Sequence, residues 1–347
     1  MSAAALPLSR PRPRLGPVVG SVGVLMLAAF GSLVLGPAGV DPWGAILEAL
    51  DHLPLVSVDS GLSSQEAAIV WEIRMPRMVL AGLVGATLAG SGAAYQGVFR
   101  NPLADPYLLG VAAGAGLGAT IAIVSGFPTA TIAPLAFGGA VLAVVAAYGL
   151  ASLGGSKRSG GTLILSGVAV AAFFTALQTY FQQQHADTIR QVFSWILGRL
   201  GTTGWGDVRT LLPYALVSWL VLYAYRRHLD VMAVGEEEAS TLGLDPARVR
   251  LAVVAAATLG AAAAVAVSGL IAFVGIIVPH IARLVTGPSH RILLPVSLTG
   301  GAAFLMVADL VARTVQSGAE VPIGVITAFV GAPFFAFILA TRRDGVT

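Results

Sequence analysis

The chain has 347 residues, of which 56% are hydrophobic and only 11% are charged, and its mean hydropathy is +0.84. Because a soluble domain carries about 25% charged residues, this composition argues against an ordinary soluble fold. The chain contains no cysteine, which excludes disulfides, thiolate metal sites and thiol nucleophiles.

The apolar residues form long continuous runs, which favour membrane-spanning helices over the alternating pattern of a β-barrel. The first run follows Arg10, Arg12 and Arg14. It resembles a signal peptide, but it is too long for one and lacks a clear cleavage site, so a first span is favoured. Spans are predicted near 15–36, 78–98, 108–125, 131–152, 162–182, 208–225, 251–267, 271–284, 292–312 and 323–341.

The distribution of basic residues predicts the orientation of these ten spans. Of the 20 Lys and Arg residues, 14 fall on the side that holds the N-terminus. Cytoplasmic loops carry the excess of positive charge, so this side is expected to be cytoplasmic. The prediction is a single transmembrane domain over 1–347, with both termini, a tail of residues 1–14 and the segment 226–250 in the cytoplasm.

Two segments are predicted to lie on the opposite side of the membrane, 38–77 and 183–207. The first begins with Asp41, Pro42 and Trp43, a pattern typical of a capped turn into a short helix. The second is amphipathic and predicts a short helix at the membrane surface. Ser268 and Gly269 precede a span too short to cross fully, which indicates a tight re-entry.

Glycines recur at helical spacing in the third span, at Gly110, Gly114 and Gly118. Such a face of small residues lets two helix backbones approach closely. Packing within one bundle is the preferred interpretation, and a subunit interface is the alternative.

The segment 226–250 carries nine charged residues between two apolar spans. Gly235 precedes Glu236, Glu237 and Glu238, and carboxylates at the start of a helix interact favourably with its dipole. Gly243 is typical of a helix stop, while Asp245 and Pro246 are typical of the next helix start. Two helices separated by a glycine break are therefore predicted.

A solvated loop is one interpretation of this segment, and a docking site for another protein is the other. Ala239, Leu242 and Leu244 would form an exposed apolar face on its first helix, which favours docking.

Three other polar features carry weaker signals. The prolines and Asn/Asp residues of 100–106 predict a rigid turn. His280 at a helix end is more typical of capping or packing than of a metal ligand, and no metal site is expected. Asp309 and Arg313 are one helical turn apart, which predicts an ion pair.

The sequence contains no phosphate-binding loop of the form GxxxxGK[ST] and no recognisable catalytic constellation. The chain is therefore not expected to be an enzyme, and energy for transport would come from an ion gradient or from another subunit. A secondary transporter or channel would need paired ionisable groups at mid-membrane, and almost none are present. A membrane-embedded enzyme is disfavoured by the missing catalytic set.

Over about 70–342 the chain resembles the FecCD family, the permease subunits of type II ABC importers for siderophores, haem and vitamin B12. So many matches in the same order make a chance resemblance very improbable. The matching motifs lie at 73–77, 90–96, 101–110, 268–280, 308–309, 320–324 and 331–335.

The resemblance implies an all-α permease fold with about ten transmembrane helices, located in the bacterial cytoplasmic membrane. It implies a second copy of the permease or a paralogue, two cytoplasmic ATPase subunits and an extracytoplasmic substrate-binding protein, and no nucleic acid. No cofactor is expected on this chain, and ATP and Mg would bind the partner ATPase.

The resemblance also implies roles for particular residues. The two short helices of 226–250 would be coupling helices in the ATPase cleft, and the arginines would face outward to meet carboxylates of the binding protein. The implied residues are Gly235, Glu236, Glu237, Ala239, Leu242 and Gly243 for coupling, Arg74, Arg77 and Arg313 for docking, Ser159, Gly160, Gly161 and Thr162 for a cytoplasmic gate, and Tyr95 and Gln96 for the pathway.

Two of these implications are limited by the residues themselves. Glycines occupy the middle of the gate sequence, so a side-chain plug is not favoured there. The substrate expected from the resemblance is a ferric siderophore. A corrinoid and haem stay open as alternatives, because specificity in such importers rests largely with the binding protein.

Overall fold

The computed structural model describes residues 15–36, 38–54, 56–153, 160–201, 204–316 and 318–341. Within these ranges the chain forms helices and no β-strand. In chain order the α-helices are α1 (Gly16–Val34), α2 (Pro42–Asp51), α3 (Ser64–Ala68), α4 (Met75–Val98), α5 (Val111–Val124), α6 (Ile132–Leu153), α7 (Gly160–Gln184), α8 (Ile189–Ile196), α9 (Gly206–Met232), α10 (Glu236–Thr241), α11 (Pro246–Ser268), α12 (Val274–Thr286), α13 (His290–Thr314) and α14 (Ile323–Thr341).

The predicted all-α polytopic architecture is confirmed. Seven helical stretches in the described ranges are long and apolar enough to cross a membrane, and α5, α12 and α14 are shorter apolar helices. One of the seven is continuous over 64–98, because a π-helical segment, Ile69–Arg74, joins α3 to α4. The predicted tail 1–14 lies outside the described residues.

Helices α4, α11 and α13 form the centre of the bundle. In α4 and its N-terminal extension, 83% of the apolar stretch is buried, and in α11 and α13 the values are 72% and 61%. Only 17% of α1 and 28% of α7 and of α9 are buried. The apolar surfaces of these outer helices therefore face lipid or another subunit.

Glycine pairs set the closest helix crossings in the bundle. A Cβ at Gly85 would lie 2.1 Å from the carbonyl oxygen of Gly301, where α4 crosses α13. A Cβ at Gly92 would lie 2.0 Å from the carbonyl oxygen of Gly275, where α4 crosses α12. At these two crossings backbone meets backbone, which only glycine permits.

The predicted packing of the glycine face in α5 is confirmed as internal to one bundle. A Cβ at Gly114 would lie 2.2 Å from the carbonyl oxygen of Gly139 in α6. A Cβ at Gly118 would lie 2.1 Å from the carbonyl oxygen of Leu135 in the same helix. This face is therefore covered within the chain and is not available to a second subunit.

The short helix α12 begins after an irregular segment. The break predicted at Ser268 and Gly269 is confirmed, since α11 ends at Ser268 and α12 starts only at Val274. The irregular backbone is held by Tyr107, whose hydroxyl donates to the carbonyl oxygen of Ile271 at 2.9 Å. Irregular backbone at membrane depth requires such partners within the protein.

The two segments expected on the opposite side contain the predicted short helices, but residues 64–77 are continuous with α4, so the span begins earlier than predicted. Asp41 caps α2 by accepting a hydrogen bond from the amide of Gly44 at 2.6 Å. The segment 183–207 contains the short helix α8. Trp205 donates to the carbonyl oxygen of Trp71 at 3.1 Å, which ties this segment to the start of α4.

Candidate functional site

The charged segment 226–250 folds into the end of α9, the short helix α10 and the start of α11. Gly243 has a φ of 81°, in the left-handed region, and separates the two new helices as predicted. Asp245 accepts hydrogen bonds from the amides of Ala247 and Arg248, both at 3.1 Å. The predicted pair of helices flanking a glycine break is therefore confirmed.

The charged segment is fixed to the bundle by one face of α10. Ala239 is fully buried, and Glu236 forms an ion pair with Arg250, which is itself buried in α11. The expectation that Ala239 and Leu244 belong to an exposed apolar face is therefore wrong, since Leu244 is only partly exposed. These residues anchor α10, because a short helix without tertiary contacts is not stable alone.

The opposite face of α10 and the turn that follows it stay exposed. Leu242 is 71% exposed, and Glu237 and Gly243 are exposed beside it. Gly235 is buried at the start of α10. Of the six residues predicted for coupling, these three exposed residues are the ones that a partner could contact directly.

At the opposite end of the bundle, Arg77 is held between two carboxylates. Its Nε and Nη2 donate to Asp309 Oδ1 at 3.0 and 2.9 Å, and Asp309 is fully buried. Its Nη1 and Nη2 also donate to Glu320 Oε1 and Oε2 at 2.7 and 3.0 Å. These bonds lower the pKa of the Glu320 carboxyl, so the carboxylate stays ionised at neutral pH and keeps Arg77 paired.

Arg74 and Arg313 do not present their charges outward, so that part of the prediction is wrong. Arg74 is 4% exposed and donates to the carbonyl oxygens of Leu33 and Val34 at 2.9 and 3.0 Å. Arg313 is 7% exposed and donates to Ser32 Oγ at 3.0 Å. Both satisfy polar groups at the C-terminus of α1, which has no further helical turn to pair them.

The predicted pairing of Arg313 with Asp309 is confirmed at 3.6 Å. Asp309 therefore balances two arginines from two helices, Arg77 and Arg313. We call Arg77, Asp309, Arg313 and Glu320 the arginine cluster. Glu320 is its exposed member, with 55% of its side chain accessible to solvent.

Tyr95 and Gln96 lie inside the bundle, and neither side chain lines an open surface. The Tyr95 hydroxyl is 2.9 Å from Thr258 Oγ1 in α11. Gln96 donates to the carbonyl oxygen of Gly275 at 3.2 Å and accepts from Arg283 Nη2 at 3.2 Å. Both side chains are enclosed by the neighbours of α4, and their role in the pathway stays a prediction.

The predicted gate is only partly described, since Ser159 lies outside the described residues. Gly160, Gly161 and Thr162 form the first turn of α7. A Cβ at Gly160 would lie 3.2 Å from the ring of Phe99, just after α4. Their role as a gate stays a prediction.

Sequence reasoning missed two partnerships of polar residues. Glu320 was part of a matching motif, but nothing in its surroundings signalled a bond to Arg77, 243 residues away. Asp230 binds the start of α13 through Ser289 and His290. A Ser-His pair before an apolar span hinted at a helix start, but it carried no information about a partner in another helix.

Comparisons with known proteins agree with this architecture. A model of the FecCD transport family matches residues 24–341. The cobalamin import system permease protein BtuC of Halobacterium salinarum is 43% identical over 305 residues, covering 87% of this chain and 80% of that protein. The hemin transport system permease protein HmuU of Yersinia pestis is 37% identical over 325 residues, covering 87% and 96%.

A solved structure gives the same result in three dimensions. An inward-facing structure provisionally assigned to the metal-chelate type of ABC transporter has a TM-score of 0.82 and 29% identity, covering 93% of this chain and 98% of that chain. The chain belongs to the FecCD transport family, the permease subunits of ABC importers.

Proposed function

We propose that this permease carries a large metal chelate across the bacterial cytoplasmic membrane, with energy from a separate ATPase. The observation that carries this proposal is the charged segment, a compact helical platform fixed to the bundle beside an exposed leucine. No phosphate-binding loop is present in the sequence, so nucleotide chemistry belongs to the partner. ATP and Mg would bind there, and this chain would bind no cofactor.

The orientation follows from the charge distribution. The charged segment and both termini lie in the cytoplasm, where basic residues accumulate. The arginine cluster then lies on the outer side, where a substrate-binding protein would approach. A second copy of the permease would cover the exposed apolar faces of α7 and α14, which include Phe173 and Phe329.

A ferric siderophore is the expected substrate. The 43% identity to a cobalamin import permease favours a corrinoid as the second candidate. A titration of the purified binding protein with a ferric siderophore and with cobalamin would distinguish them by which ligand binds.

Uptake should require the ATPase. Proteoliposomes containing the permease, the ATPase and the loaded binding protein are expected to accumulate the chelate only when ATP is enclosed on the ATPase side. Vesicles with the permease alone and an imposed proton or sodium gradient serve as the control. Accumulation in those control vesicles would show a gradient-driven transporter instead.

Arg77 is the docking cation in this proposal, and Glu320 is its exposed counterion. Arg77→Gln is expected to weaken binding of the binding protein by about tenfold, since it removes a charge that a partner carboxylate would meet. Glu320→Gln is expected to strengthen binding, because it frees one edge of the same guanidinium. Affinity for the permease in nanodiscs, measured at two salt concentrations, tests both variants.

The opposite signs of these two effects make the test specific. If the arginine cluster only stabilised the fold, both substitutions would weaken binding or leave it unchanged. Arg190→Gln is a matched control, because Arg190 is exposed in α8 and lies outside the arginine cluster. Weaker binding by Glu320→Gln would contradict the docking role of Arg77.

A further inference from the structure

The amino-terminal end of α13 is capped by a residue from another helix. Asp230 Oδ1 accepts hydrogen bonds from the His290 amide at 2.6 Å and from His290 Nδ1 at 2.9 Å. Asp230 Oδ2 accepts from Ser289 Oγ at 2.9 Å. Ser289 occupies the cap position of α13 but makes no cap bond itself. The carboxylate of α9 thus takes the place of a local cap and faces the positive end of the helix.

This contact is buried and involves a third helix. His290 is 1% exposed, and a Cβ at Gly97 in α4 would lie 2.5 Å from its Nε2. Within the described residues Nε2 has no hydrogen-bond partner, so Asp230 alone orients the ring. The carboxylate therefore joins the ends of α9 and α13, and the His290 ring packs against the end of α4.

Asp230 lies directly before the charged segment reaches α10. It is two positions before Met232, the last residue of α9, and α10 starts at Glu236. A displacement of α10 would therefore reach Asp230 through five residues, of which Val231 and Met232 are helical and 233–235 are a non-helical connection.

Helix α13 connects this contact to the arginine cluster. Its 25 residues span roughly 37 Å. Asp230 holds its first turn, and near its last turn Asp309 binds Arg77 and pairs with Arg313. One helix thus has a polar anchor at each end, one beside the predicted ATPase surface and one at the predicted docking surface.

We infer that Asp230 is a positioning residue that couples movement of the charged segment to α13 and so to the arginine cluster. The inference rests on the proposed function, because it needs the ATPase at one end and the binding protein at the other. Two binding sites are linked when each biases the same element between two positions. Here that element is α13.

The test uses the complete importer in nanodiscs and the ratio of ATP hydrolysis with and without the binding protein. Asp230→Ala is expected to lower this ratio by at least about fivefold, the lower range of typical coupling between sites. Asp230→Asn should restore part of the ratio, since its amide oxygen can still accept from the His290 amide. A residue that merely supported the fold would change stability and leave the ratio alone.

Ser63→Ala is the matched control, because Ser63 caps α3 within its own helix and joins no second helix. Its ratio is expected to equal that of the unmodified importer. If Asp230→Ala fails to assemble, the variants Asp230→Asn and Ser289→Ala test the inference instead, since both leave the His290 amide capped. A lower ratio of ATP hydrolysis in either variant than in the unmodified importer supports the inference.

An unchanged ratio in the variants that assemble would overturn the role of Asp230 while leaving the proposed function intact. An unmodified importer whose hydrolysis does not respond to the binding protein at all would overturn both, and the two failures are therefore distinguishable.

Discussion

Leu242→Asp should detach the ATPase from the permease while the permease stays folded. Leu242 is 71% exposed on the charged segment, so the substitution removes little internal contact. A carboxylate placed in an apolar pocket of a partner is strongly unfavourable, and a loss of at least about tenfold in affinity is expected. Co-purification and ATPase titration against the permease in nanodiscs measure this loss.

Leu53→Asp is the matched control for this variant. Leu53 is 50% exposed, follows α2 and lies at the other end of the bundle, with the arginine cluster. It should bind the ATPase as the unmodified permease does. Equal affinity of the Leu242→Asp and unmodified permeases would refute the placement of the ATPase on the charged segment.

Gly92→Ala should destabilise the bundle by about 1–3 kcal/mol, the typical effect of overpacking. The added Cβ would lie 2.0 Å from the carbonyl oxygen and 2.5 Å from the Cα of Gly275. Both are backbone atoms, so no side-chain rotation relieves the clash, and α4 and α12 must separate. A lower Tm in detergent and a lower transport rate are the expected results.

Gly138→Ala is the control for Gly92→Ala, since it also replaces a glycine inside a long apolar helix. Gly138 lies in α6, and a Cβ there would meet no atom within 4 Å. Its Tm should stay the same or rise slightly, since alanine favours helix by about 1 kcal/mol over glycine. If both variants melt at the same temperature, the crossing of α4 and α12 does not depend on Gly92.

The spans and the caps could be predicted from the sequence because both depend on local patterns. An apolar run of about 20 residues predicts a span wherever it lies in the chain. Asp245 followed by Pro246 predicts a helix start, and the structure places one there. The break after Ser268 was predictable for the same reason, since it follows from a Ser-Gly pair and a short apolar run.

The polar contacts between helices could not be predicted, since they join residues far apart in the chain. Arg77 and Asp309 are separated by 232 positions, and Arg74 binds the carbonyl oxygen of Leu33 across 41. The sequence pattern near Ala239 also could not show that its side chain faces the bundle. A six-residue helix has too few turns for its periodicity to show which face is buried.

The two arginines that bind the end of α1 have a consequence for how the chain is assembled during synthesis. Arg313 donates to Ser32 from a position 281 residues later in the chain. Helix α1 enters the bilayer first, but this partner is made only when α13 follows. While most of the chain is translated, Arg74 is the arginine available to the end of α1, and the low burial of α1 is compatible with that stage. Docking of α1 onto the bundle is completed only when α13 brings Arg313.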